Sequence, residues 1–181
     1  MNFTSDWVTP HIPNFRLCMD IVGNGRKNFL EIGSFEGRST CWLLEHGLKD
    51  GGDITCIDTF NPPWYTHGNL REKFDANVRN VRTTQHVISV FSMESPTAIA
   101  QLITTKQSYD FIYIDGDHSP AGALTDATMA WQLLRSGGVM LFDDYEYDQE
   151  PTKRGIDGFL MGFDGHFEVV LKNYQLAVRK K

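Results

Sequence analysis

Phe29-Leu30-Glu31-Ile32-Gly33-Ser34-Phe35-Glu36-Gly37-Arg38-Ser39-Thr40 runs from an apolar strand through a glycine-bearing turn into the start of a helix. Glycines at such a turn let the chain reverse tightly and let a ligand approach bare backbone. About twenty residues further on, Thr55-Cys56-Ile57-Asp58 ends a second apolar run on a carboxylate, placed to accept hydrogen bonds from both hydroxyls of a ribose. Together the two stretches describe an adenosine site. The structural alternative leaves Gly33 and Gly37 serving the turn alone, with Asp58 capping the next segment. The spacing Glu31-x-Gly33-x-x-x-Gly37 departs from GxGxxG, the pattern that seats a pyrophosphate on a helix N-terminus.

Working outward, apolar runs of strand length recur at residues 28–32, 54–57, 86–91, 111–114 and 139–142, separated by stretches of helical spacing. That alternation is βαβ repetition and predicts a parallel sheet in a Rossmann-like, doubly wound α/β fold. Ala121, Leu124, Thr128, Trp131 and Leu134 form a stripe that predicts a crossover helix packed on the sheet and ended by Ser136-Gly137-Gly138. A short helical pattern at 152–163 precedes strand candidates at 167–171 and 175–178, joined as an antiparallel hairpin by Lys172-Asn173-Tyr174. With 181 residues, no repeat and no linker, the whole of 1–181 reads as one domain.

Composition narrows the function classes. A formal net charge of -6 argues against binding through the phosphate backbone, which relies on clustered Lys and Arg, so a nucleic acid partner is not expected. Cys18, Cys41 and Cys56 are odd in number, lack a CxxC spacing and sit in or beside apolar stretches, which suits reduced core residues and a cytoplasmic setting. No segment approaches the roughly 20 apolar residues of a membrane span, and the first residues carry no basic-then-apolar leader pattern.

Two acidic clusters end the fourth and fifth strands, Ile114-Asp115-Gly116-Asp117-His118 and Phe142-Asp143-Asp144-Tyr145. If those strands are neighbours, their tips are about 4.8 Å apart and share one crevice. Converging carboxylates repel unless a cation or shared protons compensate them, and hard oxygen ligands select Mg²⁺, Ca²⁺ or Mn²⁺. The plainer reading of Asp143-Asp144 is a solvated turn, with His118 capping the helix that follows. Trp64, Tyr65 and His67 form either a lid over an acceptor or a proline-pinned surface loop with one aromatic packed down. Lys153 and Arg154 read as solvated bases at a helix start.

The stretches EIGSFEGRST, CIDTF, YIDGDH and FDDY resemble the small branch of the class I S-adenosylmethionine (SAM)-dependent methyltransferases, related to catechol and sugar O-methyltransferases, over nearly the whole chain. The resemblance implies a seven-stranded sheet in the order 3-2-1-4-5-7-6 with strand 7 antiparallel. SAM has no phosphate, so a missing GxGxxG is no obstacle, and its positive sulfonium suits a nearby acid such as Glu31. By resemblance Glu31, Gly33, Ser34 and Gly37 line the methionine portion, Asp58 the ribose, and Ser92 and Met93 the adenine. Asp115, which borders the same site, joins Asp143 and Asp144 in holding a divalent cation, expected to be Mg²⁺. That cation lowers the pKa of the attacking hydroxyl and aligns its oxygen with the methyl group. Asp117 or His118 takes the hydroxyl proton, with Asp117 preferred because related sugar methyltransferases use an acid there.

The expected partner is a hydroxylated small molecule, a sugar or phenol, and a homo-oligomer would help close a site with so few added loops. Three other functions fit parts of the pattern. A metal-dependent phosphoesterase would use the acidic clusters but leave the adenosine features unexplained. A nicotinamide-dependent oxidoreductase lacks its pyrophosphate seat. A non-catalytic SAM-binding protein would bind without turnover.

Overall fold

The inner strands of the central sheet are buried on both faces, as a sheet covered by helices on both sides requires, while the edge strands are partly exposed. The computed structural model describes residues 1–146 and 151–181. Helix α1 (Ile12–Val22) precedes β1 (Lys27–Ile32), α2 (Arg38–Trp42), which continues into a π-helical turn at Leu43–Gly47, and β2 (Gly52–Asp58). There follow α3 (Leu70–Arg79), β3 (His86–Ser92), α4 (Ser95–Thr104), β4 (Tyr109–Ile114), α5 (Pro120–Trp131) and β5 (Leu134–Phe142). The last elements are α6 (Pro151–Gly162), β6 (Phe167–Lys172) and β7 (Leu176–Lys180). The seven strands lie in the order β3-β2-β1-β4-β5-β7-β6, with β7 antiparallel to both β5 and β6. This is the expected topology, and the terminal hairpin supplies its antiparallel strand.

Side chains alternate between two cores. Leu30 and Ile32 of β1 pack with α4, α5 and α6, whereas Phe29 packs with α1, α2 and α3. Two local expectations need correction. On α5 the buried residues are Ala123, Asp126, Ala127, Ala130 and Trp131, while Leu124 is 39% exposed and Ala121 is exposed. The stripe was misplaced because small alanines, not the larger Leu124, face the sheet. That choice also admits α6, where a Cβ on Gly155 would meet the Pro120 carbonyl oxygen at 2.3 Å. Ser136-Gly137-Gly138 does not end the helix, which stops at Trp131. It lies inside β5, where the register shifts between the Tyr109↔Leu134 and Phe111↔Val139 pairs and Gly137 takes φ +78°.

Candidate active site

Gly33 is where the two halves of the site meet. At φ +84° it turns the chain out of β1, and a Cβ there would lie 1.8 Å from the Asp115 carbonyl oxygen, so backbone packs on backbone. The turn is then held by Asp58: Oδ2 accepts from the amides of Ser34 (2.9 Å) and Phe35 (2.7 Å), and Oδ1 accepts from the amide of Phe60 (2.6 Å). Phe35 and Phe60 have φ of +47° and +52°, which bulky residues adopt only when held there. Asp58 therefore organises two strained loops as well as ending β2, the strand beside β1.

Glu31 sits on the same face of β1 as Phe29, beneath α2 instead of in the open pocket, because alternation turns it there. It is 0% exposed. Its Oε2 accepts from Ser34 Oγ at 2.7 Å and from Thr40 Oγ1, and burial pushes its carboxyl pKa up. Above it opens a pocket whose lining includes Trp7, Gly33, Ser34, Phe35, Asp115 and Asp143. Gly37, at φ +81°, forms the N-terminal boundary of α2, and a Cβ there would lie 3.0 Å from the Phe74 ring. Ser92 stands opposite Asp58 in the β2–β3 register and accepts from Arg71 Nη1 at 2.5 Å; Met93 packs partly buried on the core.

At the tips of β4 and β5 the acids divide. Asp115, His118 and Asp144 each offer one ligand atom within 4.8 Å of the others. The His118 imidazole spans the two carboxylates, with Nε2 3.5 Å from Asp115 and Nδ1 3.3 Å from Asp144. Burial, reinforced by the nearby Asp143 charge, pushes the Asp115 pKa up, and hydrogen bonding to Asp115 pushes that of His118 up. Asp144, at φ +52°, also accepts from the Tyr174 hydroxyl, and that ring stacks on His11 at 4.4 Å. Asp143 is engaged elsewhere: Oδ2 accepts from Tyr113 OH (2.6 Å), and Oδ1 from Gln175 Nε2 (2.9 Å) and the Asp144 amide (3.0 Å).

Asp117 lines one small pocket with Asp115, His118 and Asp144, but its hydrogen bonds run to the start of α5. It accepts from the Ser119 amide at 2.8 Å and hydroxyl at 3.0 Å, while Ser119 itself caps the helix by accepting from the Gly122 amide. Capping thus falls to Ser119 and Asp117, which leaves His118 to face the acids.

The 60s loop has one aromatic packed down, as the surface-loop reading expects. Tyr65 is tied down, its hydroxyl donating to Glu36 Oε1 at 2.9 Å, while Trp64 remains 61% exposed and rests against Phe35. Lys153 pairs with Asp157 at 2.6 Å, one turn along α6. Sequence reasoning passed over Tyr113, Tyr174 and Gln175, whose polar atoms hold Asp143 and Asp144. They lie in ordinary strand and hairpin sequence, and only the β4–β5–β7 pairing brings them to the acids.

Residues 30–145 match the family model described as a methyltransferase domain. A Mycobacterium tuberculosis protein named "Probable O-methyltransferase" is 32% identical over 134 residues, covering 74% of this chain and 54% of its own length. The chain spans about half the length of the curated relatives it matches. Among solved structures, an rRNA methylase from Streptococcus thermophilus has a TM-score of 0.68 at 10% identity, covering 99% of both chains. The mycinamycin-pathway methyltransferase MycE, solved with Mg and SAH, has a TM-score of 0.63 at 18% identity, covering 99% of this chain and 51% of its own. Such distant likenesses show the fold, and the fold alone serves very different acceptors.

Proposed function

The chain belongs to the methyltransferase-domain family matched by its residues 30–145, and from that premise we propose that it moves the methyl group of SAM to a hydroxyl oxygen of a small molecule with the help of a divalent cation. One observation carries this reading: the glycine turn and the acidic tips share a pocket, with Asp115 lining it beside Gly33 and Ser34. A donor held on the turn and an acceptor held at the acids would lie side by side. The relatives' O-methyltransferase names support oxygen as the target, and the net charge of -6 favours a small acceptor over nucleic acid.

The residues fit the groups they would hold. Gly33 and Ser34 offer the methionine portion an open turn, with Gly37 shaping the start of α2 and buried Glu31 fixing Ser34 from below. Asp58 would take the ribose, and Ser92 with Met93 the adenine. The carboxylates of Asp115 and Asp144 suit a hard divalent cation as its anchors, with the His118 imidazole between them left free of it. Asp143 would join them by exchanging its bonds from Tyr113 and Gln175. A bound cation supplies positive charge that favours the ionised acceptor and removes the cause of His118's raised pKa.

His118 then accepts the hydroxyl proton, and Asp117, committed to Ser119, does not. Tyr113, Tyr174 and Gln175 hold the acids in place through their own hydrogen bonds. We also assign the chain to one domain in a reducing, cytoplasmic compartment, where its three buried cysteines stay free, and working as a homo-oligomer. No helix of the described residues is long and apolar enough to cross a membrane.

The test is calorimetric titration with SAM, with and without Mg²⁺, followed by labelled-methyl transfer to a panel of phenols and sugars. SAM binding with cation-dependent transfer, lost in His118→Ala and kept in Asp117→Asn, is the expected result. Failure to bind SAM would sink the proposal.

A further inference from the structure

Glu36 and Arg38 flank Gly37 in the glycine turn, and neither has a part in the chemistry above. Glu36 is 1% exposed, an unusual place for a carboxylate, and its bonds reach three separate segments of the chain. From the segment before α1, Thr4 donates its amide (2.7 Å) and its hydroxyl (2.6 Å). The 60s loop contributes the Tyr65 hydroxyl at 2.9 Å, and α3 contributes Lys73 Nζ at 2.9 Å. Burial alone would raise the Glu36 pKa, but these donors outweigh it and hold the carboxyl below its usual range.

Two further ties fasten the same segment. Asn77 of α3, 2% exposed, accepts from the Asn2 amide (2.7 Å) and donates to the carbonyls of Asn2 (3.0 Å) and Glu36 (2.9 Å). Arg38 grips Asp6 through Nε (3.1 Å) and Nη2 (2.9 Å) and donates to Thr9 Oγ1 (2.7 Å). What these bonds hold in place is aromatic. Trp7 lies 5.3 Å from Phe35 and 6.5 Å from Trp64, and Phe35 lies 5.5 Å from Trp64. Trp7 and Trp64 are 59% and 61% exposed, yet Trp7 and Phe35 line the pocket with Gly33 and Asp115.

We infer that Glu36 is a positioning residue for the methyl donor: it joins residues 2–8 to the 60s loop so that Trp7, Phe35 and Trp64 stand as an aromatic wall over the glycine turn. The inference rests on the SAM reading of that turn and extends it to the segment before α1. A wall of aromatic faces suits a cationic sulfonium, which ring faces attract, and it narrows the water-filled side of the pocket. The motif EGRST thereby gains a division of labour. Gly37 makes the bend, and the charges on either side of it fasten the wall that covers the bend.

The test uses Glu36→Gln, which breaks the Lys73 pair, and Thr4→Val, which removes one tie to the segment and leaves α3 untouched. Trp42 and Trp131 are 8% and 5% exposed, so quenching of tryptophan fluorescence by acrylamide reports mainly on Trp7 and Trp64. Quenching should rise in both variants with no ligand present. SAM affinity by calorimetry should fall about tenfold in Glu36→Gln, the size of one lost charged hydrogen bond, and less in Thr4→Val. Transfer at saturating SAM should keep its wild-type kcat, which a general loss of folding would not allow. A folded Glu36→Gln with unchanged quenching and unchanged SAM affinity overturns the inference. So does weakened binding without any change in quenching, since the wall would then not be the intermediary. A wild-type protein that binds no SAM overturns the reading beneath as well, and is told apart because it fails before any substitution is made.

Discussion

Asp58 and Asp115 close the two strands on either side of β1, at the same end of the sheet, and their surroundings are opposite in kind. Asp58 accepts three backbone amides and has no acidic neighbour among its bonding partners. Asp115 is pressed by burial and by the charge of Asp143, with an imidazole at 3.5 Å as its compensation. On the donor side Asp58 is thus satisfied by the two loops it organises, whereas Glu31 beneath the turn keeps one buried oxygen unpaired. The acceptor side holds charge that the chain does not fully neutralise, the condition in which a bound cation contributes most. Preorganisation on one side and unrelieved charge on the other suit a site that must hold one ligand in a fixed pose and activate another.

The sharpest way to break this comparison is Asp115→Asn. Methyl transfer should fall by about 10³-fold or more as a cation anchor is lost. Without metal, the melting temperature at neutral pH should rise, because the folded chain no longer has to hold a carboxyl against burial and the Asp143 charge. A calorimetric melt in chelator that moves downward would show that Asp115 is satisfied as it stands, and the contrast with Asp58 would collapse.

Asp58→Ala should do the reverse and cost stability first. Removing the acceptor of three amides, two of them on residues held at positive φ, should destabilise the fold by about 4 kcal/mol, read from denaturant melts. SAM affinity should fall as well. Unchanged affinity in a folded variant would contradict the placement of the ribose.

The same two regions differ in how far sequence revealed them. The donor side is local: strand, turn and helix are contiguous from Phe29 to Thr40, so glycine spacing and apolar runs expose it directly. The acceptor side is assembled from three strands. Asp115 and Asp144 were visible as acids at strand ends, but residue type does not say which way a side chain points. Asp143 was grouped with its neighbour, though the pleat directs it to Tyr113 and Gln175. Asp117 and His118 are neighbours in the sequence, and only the fold shows that Asp117 bonds to Ser119 at the start of α5 while His118 lies between Asp115 and Asp144. On α5 the small alanines that face the sheet carry little hydrophobic signal, and that is why the stripe was read from the larger Leu124.

Asp126 asks whether the tension at the acidic tips reaches the core. It is 1% exposed on α5, accepts from Ser95 Oγ at 2.6 Å, and lies against Gly116, where a Cβ would come within 2.8 Å of Oδ2. Burial pushes its pKa from 3.8 up to about 6, with the Asp117 charge adding to it. Below about pH 4 the group is neutral in both folded and unfolded chains and costs nothing. Between pH 4 and 6 the unfolded chain releases the proton while the folded chain keeps it, so stability falls as pH rises, and the cost is constant above that. Asp126→Asn removes this dependence. Its stability relative to wild type should improve by at most about 3 kcal/mol between pH 4 and pH 7. A gap that stays flat with pH would confine the strain to the tips.

The smallest effect belongs at the far edge of the donor side. Ser92 is exposed, its hydroxyl engaged by Arg71, which also grips Asp75, so Ser92→Ala takes no buried partner away and should leave the melting temperature within about 1 °C. If the adenine lies beside Ser92 and Met93, SAM affinity should drop only about threefold, since an exposed hydroxyl contributes little net energy. A loss as large as that of Asp58→Ala would mean that the loops Asp58 organises do not complete the donor side by themselves. Its fit to the nucleoside would then depend on contacts made only when the ligand arrives, as on the acceptor side.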